Sequence, residues 1–283
     1  MSATVFIAVL FAAVLHAVWN GLLKSGSDKY VGMAGVVIGH TPFALAVIPF
    51  VPFPAAEAYP FMAGSVLLHF GYQMFLLWSY RIGDLTQVYP IARGTAPIIV
   101  AGVSIAMLGV TLMSQEIAGI VVIGVGLISL SLVRQNSGSR NTKAAILALT
   151  TGCFIAAYSL NDGLGARAAQ TAVGFYAWST LGSAVILSLT MIVWKPGVLR
   201  QLAYTAPGLK AFFIGGGASF TAYAIVTWAF TQAPIALVTA LRETSIVFAL
   251  LIGVFFLGER LDLAKVISTF LTIIGAVMIR IAR

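Results

Sequence analysis

Charged residues are scarce in this chain of 283 residues, in which Asp, Glu, Lys and Arg together account for 8%. A soluble domain normally carries about 25% of them. Hydrophobic residues instead reach 60%, and the mean hydropathy is +1.02. The shortage of charge and the excess of apolar residues exclude an ordinary soluble domain and predict an integral membrane protein.

Cysteine is almost absent as well. Cys153 is the single one and lies in an apolar stretch, so the sequence offers no intrachain disulfide, zinc cluster or haem attachment. The sequence also lacks a Walker-type phosphate loop, an HExxH pair, a paired aspartate motif and a TVGYG-like channel filter. We therefore expect no metal, no cofactor and no catalytic site.

The basic residues do not form a nucleic-acid-binding segment. The formal net charge is +8, but the lysines and arginines are scattered in short segments between apolar stretches. Such charges indicate orientation in a membrane protein, because cytoplasmic loops are enriched in Lys and Arg. We expect membrane lipids and a small-molecule substrate as partners, and no nucleic acid.

Apolar stretches of about 20 residues follow one another along the chain, and each is long enough to cross the hydrocarbon core as a helix. The predicted fold class is therefore an all-α integral membrane protein with ten transmembrane helices. The predicted spans are Ala3 to Leu23, Val31 to Val51, Phe61 to Tyr80, Thr86 to Leu108, Ile117 to Val133, Ala144 to Gly163, Thr171 to Val193, Ala211 to Thr231, Ile235 to Leu257 and Val266 to Ile281.

A polar stretch near the middle of the chain divides these helices into two sets of five. It predicts a first five-helix repeat over residues 1–133, a linker over 134–143 and a second five-helix repeat over 144–283. Because five is an odd number, the second half enters the membrane from the opposite face. The two repeats are therefore inverted, an arrangement in which substrate sites lie near the bilayer midplane.

The strongest internal repeat joins the fourth and ninth spans. The stretch from Tyr89 to Leu112 aligns without a gap with the stretch from Val238 to Leu261, and this alignment places Arg93 on Arg242. An arginine in an apolar span costs about 2.5–3.5 kcal/mol on insertion scales, so it normally faces a protein interior or a watery cavity.

Orientation follows from the basic residues between the spans. Only Arg167, Arg280 and Arg283 lie on the side of the two termini, and the other loop lysines and arginines lie on the opposite side. The positive-inside rule makes that opposite side cytoplasmic. We predict a multi-pass protein of a bacterial-type inner membrane with both termini outside the cytoplasm.

Polar side chains recur at four-residue spacing on several spans, so they share helix faces. His16 and Asn20 lie on the first span, and Tyr158 and Asp162 lie at the aligned places of the sixth. Converging polar faces would form a solvated cavity, although a single polar residue in such a helix more often bonds a neighbouring helix. The predicted substrate-binding residues are Arg93, Arg242, His16, Trp19, Asn20, His69, Gln73, Tyr89, Tyr158, Ser219 and Tyr223.

Proton coupling has three candidates in the spans, namely His16, His69 and Glu243, because intramembrane ionisable groups are usually functional. Glu243 directly follows Arg242 and points about 100° away from it on a helix. It is expected either to pair with Arg93 or to line the cavity.

Helix breakers favour a hinge in the fourth span. Pro90, Gly94 and Pro97 lie inside it, and proline removes a backbone hydrogen bond and bends a helix. We predict a kink there, which acts either as a hinge or as a static packing feature. Gly35 with Gly39, and residues 215–217, are expected to let helices approach closely.

The sequence resembles the EamA-type transporters of the drug/metabolite transporter superfamily over essentially its whole length. The resemblance lies in the two five-helix repeats, in the end of the first helix from His16 to Lys24, and in the motif Leu-Gly-Glu-Arg-Leu from Leu257 to Leu261. The first half departs from this motif, since Val110 stands where the second half has Glu259. The resemblance implies a secondary transporter, not an enzyme, with a central cavity between the first, third, fourth, sixth, eighth and ninth helices.

We therefore predict a transporter that moves a small metabolite by alternating access. Paired arginines favour an anionic or zwitterionic solute that is amino-acid-like, organic-acid-like or phosphonate-like. In the main alternative the arginines are structural, and the protein exports neutral or aromatic amino acids or hydrophobic compounds. A membrane-embedded lipid-handling enzyme is a more remote alternative. Both a monomer and a homodimer are compatible with the sequence.

Overall fold

The computed structural model describes residues 1–26, 28–82, 85–130, 142–257 and 263–282, and within these ranges the protein is helical without strands. Nine helical segments of this part are long and apolar enough to span a membrane, and a tenth apolar helix, Ser114–Leu130, is shorter. Large apolar side chains such as Phe11, Val193 and Phe270 face outward. The chain is a membrane-embedded, multi-pass protein, and the predicted all-α fold class is confirmed.

The first half contains six α-helices. These are α1 (Ala3–Ser25), α2 (Lys29–Ile38), α3 (His40–Val47), α4 (Tyr59–Ile82), α5 (Leu85–Ala106) and α6 (Ser114–Leu130). Two short 3-10 helices, Ile48–Phe50 and Ala56–Ala58, connect α3 to α4. Together, α2 and α3 form the predicted second span, so the five predicted spans are all present.

The second half contains eight α-helices. These are α7 (Thr142–Ala168), α8 (Ala172–Trp194), α9 (Gly197–Tyr204), α10 (Ala206–Lys210), α11 (Gly216–Gln232), α12 (Ile235–Arg242), α13 (Ser245–Leu257) and α14 (Leu263–Ile281). A π-helix over Ala211–Gly215 continues into α11. The ninth predicted span consists of α12 and α13. The linker predicted at 134–143 lies almost entirely outside the described residues, and the division into two domains stays a prediction.

Helix starts follow ordinary capping chemistry. The Asp28 carboxylate accepts the backbone N–H groups of Tyr30 and Val31 at 2.8 and 3.2 Å, and so begins α2. Thr171 accepts the N–H of Gly174 at 3.2 Å and begins α8. These side chains satisfy backbone donors that the first helical turn leaves free.

Helix packing is symmetric when the two halves are exchanged. The first helix of the first half, α1, packs against α11, α12 and α13 of the second half. The first helix of the second half, α7, packs against the corresponding helices α4 and α5 of the first half. Helices that occupy the same place in the two halves also contact each other. α6 lies along α14, and α2 and α3 lie along α8. Two related halves that face each other produce this arrangement.

The ninth span is interrupted, whereas the fourth span is continuous in secondary structure. α5 passes through Pro90 and Pro97 without a break, so the predicted hinge there stays a prediction. The interruption lies at the turn formed by Glu243 and Thr244, whose N–H groups bond the carbonyls of residues 240 and 241 at 3.1 and 3.0 Å. This tighter, 3-10-like bonding ends α12 in the middle of the membrane span.

The second and eighth spans touch through their backbones. A Cβ atom added to Gly39 would lie 2.1 Å from the Phe212 carbonyl oxygen, and one added to Gly216 would lie 2.6 Å from the Gly39 carbonyl carbon. A Cβ atom on Gly35 would lie 2.6 Å from that of Ala211. The predicted close approach at these glycines is confirmed, and it is the packing that small residues allow in membranes.

Replacing Gly39 by alanine should therefore destabilise the protein. The added methyl group must push the two spans apart, and overpacking of this kind costs about 1–3 kcal/mol. Thermal unfolding of the detergent-purified protein measures the effect. Gly102→Ala is the matched control, since a Cβ atom at Gly102 meets nothing within 4 Å. Equal melting temperatures for the two variants would contradict the prediction.

Candidate functional site

A buried charge cluster lies where the fourth and ninth spans meet near the middle of the protein. Arg93 on α5 and Arg242 at the end of α12 are 5% and 2% exposed, and Glu243 at the turn between α12 and α13 is 2% exposed. The Glu243 Oε1 atom lies 3.1 Å from Arg93 Nη1 and 3.7 Å from Arg242 Nε. One carboxylate therefore serves two guanidinium groups.

Arg93 is surrounded by partners on all sides. Besides the bond to Glu243, its Nη2 donates to the Tyr89 hydroxyl at 3.4 Å and contacts Nε2 of His16. Its guanidinium also lies over the Tyr89 ring, 5.4 Å from the centroid. The structure thus gives Arg93 a set of protein ligands that leaves little free capacity for a solute.

His16 faces two hydrogen-bond donors. Trp19 Nε1 donates to His16 Nδ1 at 3.2 Å, and Arg93 points at His16 Nε2. A neutral imidazole has one acceptor nitrogen, and an imidazolium has none. In this arrangement His16 serves as a neutral acceptor, and only one of its two donors can be satisfied at a time. Asn20 turns away and donates to the backbone carbonyl of His16 at 2.7 Å.

Arg242 differs from Arg93 because part of its guanidinium is unpaired. Among the described residues, its Nε and Nη2 atoms are buried without a hydrogen-bond partner. The rings of Tyr158 and Tyr223 lie next to each other beside it, with centroids 5.8 and 5.9 Å from Cζ and 5.9 Å from one another. A buried donor without a partner is costly, and guanidinium N–H groups are suited to planar oxyanions.

A second ionisable pair lies beyond these two tyrosines. Nε2 of His69 on α4 is 2.8 Å from Oδ2 of Asp162 on α7, whose side chain is fully buried. The same oxygen accepts the Tyr223 hydroxyl at 2.8 Å, and Asn161 Nδ2 donates to the other oxygen at 3.1 Å. The Tyr158 ring stacks on His69 with centroids 4.2 Å apart. Tyr158 and Tyr223 therefore touch both charged groups.

Most of the predicted binding residues come together around these two groups. The structure places together Arg93, Arg242, His16, Trp19, Tyr89, His69, Tyr158 and Tyr223. Gln73 lines a small cavity beside His69, and Ser219 is buried on α11. Asn20 bonds within its own helix. Whether any of these residues binds substrate stays a prediction.

Sequence reasoning did not assign a role to Asp162 or to a group on the other side of His69. There His40 on α3 bonds the Thr180 hydroxyl through Nδ1 at 2.8 Å, with the Tyr176 hydroxyl at 3.4 Å. The sequence did contain a signal for both residues. An aspartate and a histidine are rare inside apolar spans and usually mark a functional site there. No cluster of three or more His, Cys, Asp and Glu side chains suited to a metal occurs in the described part of the chain.

Residues 142–281 match the sequence model of the EamA-like transporter family. The second half of this chain is an EamA-like transporter domain. The predicted resemblance is thereby confirmed, and the match points to a membrane transporter of the drug/metabolite type. The motif from Leu257 to Leu261 that contributed to it lies, apart from Leu257, outside the described residues.

The whole chain also shares its fold with a known structure. A crystal structure of another protein matches 98% of this chain and 96% of its own chain, with a TM-score of 0.74 and 16% sequence identity. At this identity the likeness shows the fold alone. No curated protein matches the chain.

Removing the Glu243 charge should destabilise this EamA-type protein strongly. Glu243→Gln leaves two buried guanidinium groups without their carboxylate, and breaking a buried ion pair costs about 3–5 kcal/mol. The double variant Glu243→Gln with Arg93→Met removes one of the two cations and should recover part of the loss. A double-mutant cycle on the free energy of unfolding measures this coupling. If the effects of the two substitutions on the free energy of unfolding were additive, Glu243 and Arg93 would not interact.

Proposed function

We propose that this protein is a secondary transporter that moves a small monoanionic or zwitterionic metabolite across a bacterial-type inner membrane by alternating access. The solute class includes amino-acid-like, organic-acid-like and phosphonate-like molecules. The observation that carries the proposal is the buried Arg242 guanidinium, whose Nε and Nη2 atoms have no hydrogen-bond partner among the described residues, with Glu243 Oε1 at 3.7 Å from Nε. A carboxylate or phosphonate oxygen of the solute would accept these two donors.

Charge balance supports an anion at this place. Arg93 and Arg242 bring two positive charges, and Glu243 brings one negative charge. With His16 neutral and the neighbouring His69–Asp162 pair also neutral, these groups have one excess positive charge in a site of low dielectric, where an uncompensated charge is expensive. A bound monoanion would neutralise the cluster. The excess positive charge equally disfavours a cationic drug.

Arg93 and Arg242 then have different roles in the proposed site. Arg93 is occupied by Glu243, His16 and Tyr89, so it holds the Glu243 carboxylate in place. Arg242 keeps the free donors and binds the solute, and the neighbouring rings of Tyr158 and Tyr223 form aromatic walls beside it. Because these walls are aromatic, a solute with an apolar or aromatic body next to its carboxylate would be bound well.

Alternating access is supported by where the backbone is interrupted. The turn at Glu243 and Thr244 divides the ninth span beside the ion cluster, and Gly39 divides the second span where it touches the eighth. Discontinuous helices near the midplane of inverted repeats are typical of secondary transporters. Solute binding at Arg242 would act directly on the turn that joins α12 to α13.

The second candidate function has its own supporting observation. Arg93 is fully partnered, and three tyrosine rings, those of Tyr89, Tyr158 and Tyr223, lie against the two arginines, as a structural cluster next to a neutral aromatic site would require. In that case the protein exports neutral or aromatic amino acids or hydrophobic compounds. The two functions differ in whether ligand binding depends on Arg242.

Binding of small anions should raise the thermal stability of the purified wild-type protein, because a ligand that binds the native state stabilises it. The panel contains lactate, benzoate and methylphosphonate as anions, phenylalanine as a zwitterion, and choline and indole as cationic and neutral compounds. We expect stabilisation by the anions or the zwitterion. Arg242→Gln should remove the shift, since losing a charged hydrogen-bond partner weakens binding at least about tenfold.

Arg280→Gln is the matched control for this experiment, because Arg280 lies over the Phe6 ring near the end of α14. It should retain the wild-type ligand shift. Stabilisation by choline or indole alone, unchanged in Arg242→Gln, would overturn the anion site. In that outcome the arginines are structural and the second candidate function is correct.

We also propose that both termini lie outside the cytoplasm, which follows from the distribution of loop charges. A reporter that is active only in the cytoplasm should stay silent when it is fused after Arg283. The same reporter inserted in the linker at residues 134–143 should be active. A bright C-terminal fusion with a silent linker insertion would reverse the orientation.

A further inference from the structure

We propose that the buried His69–Asp162 pair is the proton-binding site of this transporter, and that a small polar chamber beside it supplies the proton from water. One proton added to the pair changes its net charge from −1, with a neutral imidazole and a carboxylate, to zero. No other bond is made or broken, because the proton arrives on a water molecule and leaves the water behind. The inference rests on the proposed function for its role in transport, but not for its test.

The contacts of Asp162 show that the pair is built to exchange one proton. The carboxylate accepts from His69, Tyr223 and Asn161, and these donors keep it an acceptor. Its side chain is fully buried, whereas that of His69 is 17% exposed. A buried carboxylate without a countercharge is unfavourable, so a proton on His69 stabilises the pair, and the exposed edge of that ring gives the proton a way in.

The chamber lies between α2, α3, α4 and α8, with His69 at one side and His40 at the other. Its lining contains two buried polar atoms without a partner in the described part of the chain, namely Nε2 of His40 and Oε1 of Gln73. These side chains are 8% and 5% exposed. Buried polar cavities of this kind hold ordered water, which satisfies such groups. Water in the chamber would bridge His40, Gln73 and His69.

The other two candidates for proton coupling are less suitable. His16 is an acceptor for two donors, one of them a guanidinium, so an added proton would place its N–H groups against N–H groups. Glu243 lies between two guanidinium groups that favour its ionised form. The titratable groups that contact the His69–Asp162 pair or line the chamber beside it are Tyr158, Tyr223, Tyr176 and His40. Tyr72 and Arg242 lie one ring further away, against Tyr158.

Tyr158 and Tyr223 connect the proton site to the solute site. Both rings lie against the Arg242 guanidinium, while Tyr158 stacks on His69 and Tyr223 donates to Asp162. With an unprotonated pair, Arg93, Arg242, Glu243 and Asp162 sum to zero charge. A monoanion at Arg242 makes the sum negative, and one proton on the pair restores it. Anion and proton should therefore bind cooperatively and move together, and the coupling must be reciprocal.

The three histidines of the chain make this testable without any solute. The full-length protein, labelled at histidine and purified in detergent, should give three imidazole resonances, which the variants His16→Gln, His40→Gln and His69→Gln assign. We expect the His69 imidazole to take up a proton in a manner that depends on Asp162, while His16, which faces two donors, stays neutral. In Asp162→Asn, the ratio of protonated to neutral His69 should fall at least about tenfold at a fixed pH, which corresponds to the loss of one charged partner.

Two further variants keep the result interpretable if Asp162→Asn does not fold. Tyr223→Phe removes one donor from the carboxylate and should raise the protonated fraction of His69. Glu116→Gln is the matched control, because Glu116 only accepts the N–H of Met113 at the start of α6, and it should leave the titration unchanged. An imidazole of His69 that does not titrate, or that titrates independently of Asp162 and Tyr223, would overturn the proposal.

The His69 resonance also tests whether the chamber supplies the proton and whether anion binding is coupled to protonation. Gln73→Leu should slow the exchange of the His69 ring proton with water, and unchanged exchange would remove the chamber from the route. Benzoate should increase the protonated fraction of His69 in the wild type but not in Arg242→Gln. If benzoate stabilises the protein thermally without changing His69, the coupling is wrong although the anion site is correct. If His69 titrates as expected while no anion stabilises the protein, the proposed function fails and the proton site remains.

Discussion

The shared Glu243 carboxylate is the interaction on which the centre of this protein depends. Two guanidinium groups are buried within reach of one acidic side chain, and each would be unfavourable there without it. The ninth span is interrupted at this residue, because the N–H groups of Glu243 and Thr244 bond the carbonyls of residues 240 and 241. The turn at Glu243 brings the carboxylate within hydrogen-bonding distance of Arg93 while it stays near Arg242.

The Glu243 carboxylate lies closer to Arg93 than to Arg242, so the Arg242 guanidinium keeps hydrogen-bond donors for a solute. Arg93 has Glu243, Tyr89 and His16 as ligands, whereas Arg242 has Glu243 at the longer distance of 3.7 Å and two tyrosine faces. Ring faces attract a cation but do not accept its N–H groups in the guanidinium plane. The plane of Arg242 is therefore where a planar oxyanion gains most. With His16 neutral, Arg93, Arg242 and Glu243 sum to one positive charge, which is uncompensated when the His69–Asp162 pair is neutral.

The sequence predicted much of the fold because hydrophobic length is a strong signal in membranes. All ten predicted spans correspond to helical segments of the structure, and the two arginines that the internal repeat aligns both lie near Glu243. Where the helices break was harder to predict, because proline is only one cause. The ninth span is interrupted at Glu243, which forms ion pairs with Arg93 and Arg242, and neither proline nor glycine marks the place.

The details of the site were beyond sequence reasoning for a related physical reason. Aligned positions share a place in the fold, but their partners depend on neighbours that the repeat does not conserve. Gly94 follows Arg93, whereas Glu243 follows Arg242, so only one half supplies the carboxylate. Asp162 was visible as a polar residue on the same helix face as Tyr158. Its pairing with His69 depends on the contact between α4 and α7, which spacing along a single helix does not contain.

Aligned positions of the two halves have different partners, and this difference places the arginine cluster and the His69–Asp162 pair in separate parts of the protein. The arginine cluster is made by the fourth and ninth spans, while the His69–Asp162 pair is made by the third and sixth, with Tyr158 and Tyr223 between them. Only the rings of Tyr158 and Tyr223 separate the two groups. In a low dielectric, charges this close to each other interact far more strongly than in water. A change of charge at either group must therefore alter the other. An anion site and a proton site that are separated only by two aromatic rings have a physical reason to be coupled, even without a large movement of the helices that carry them.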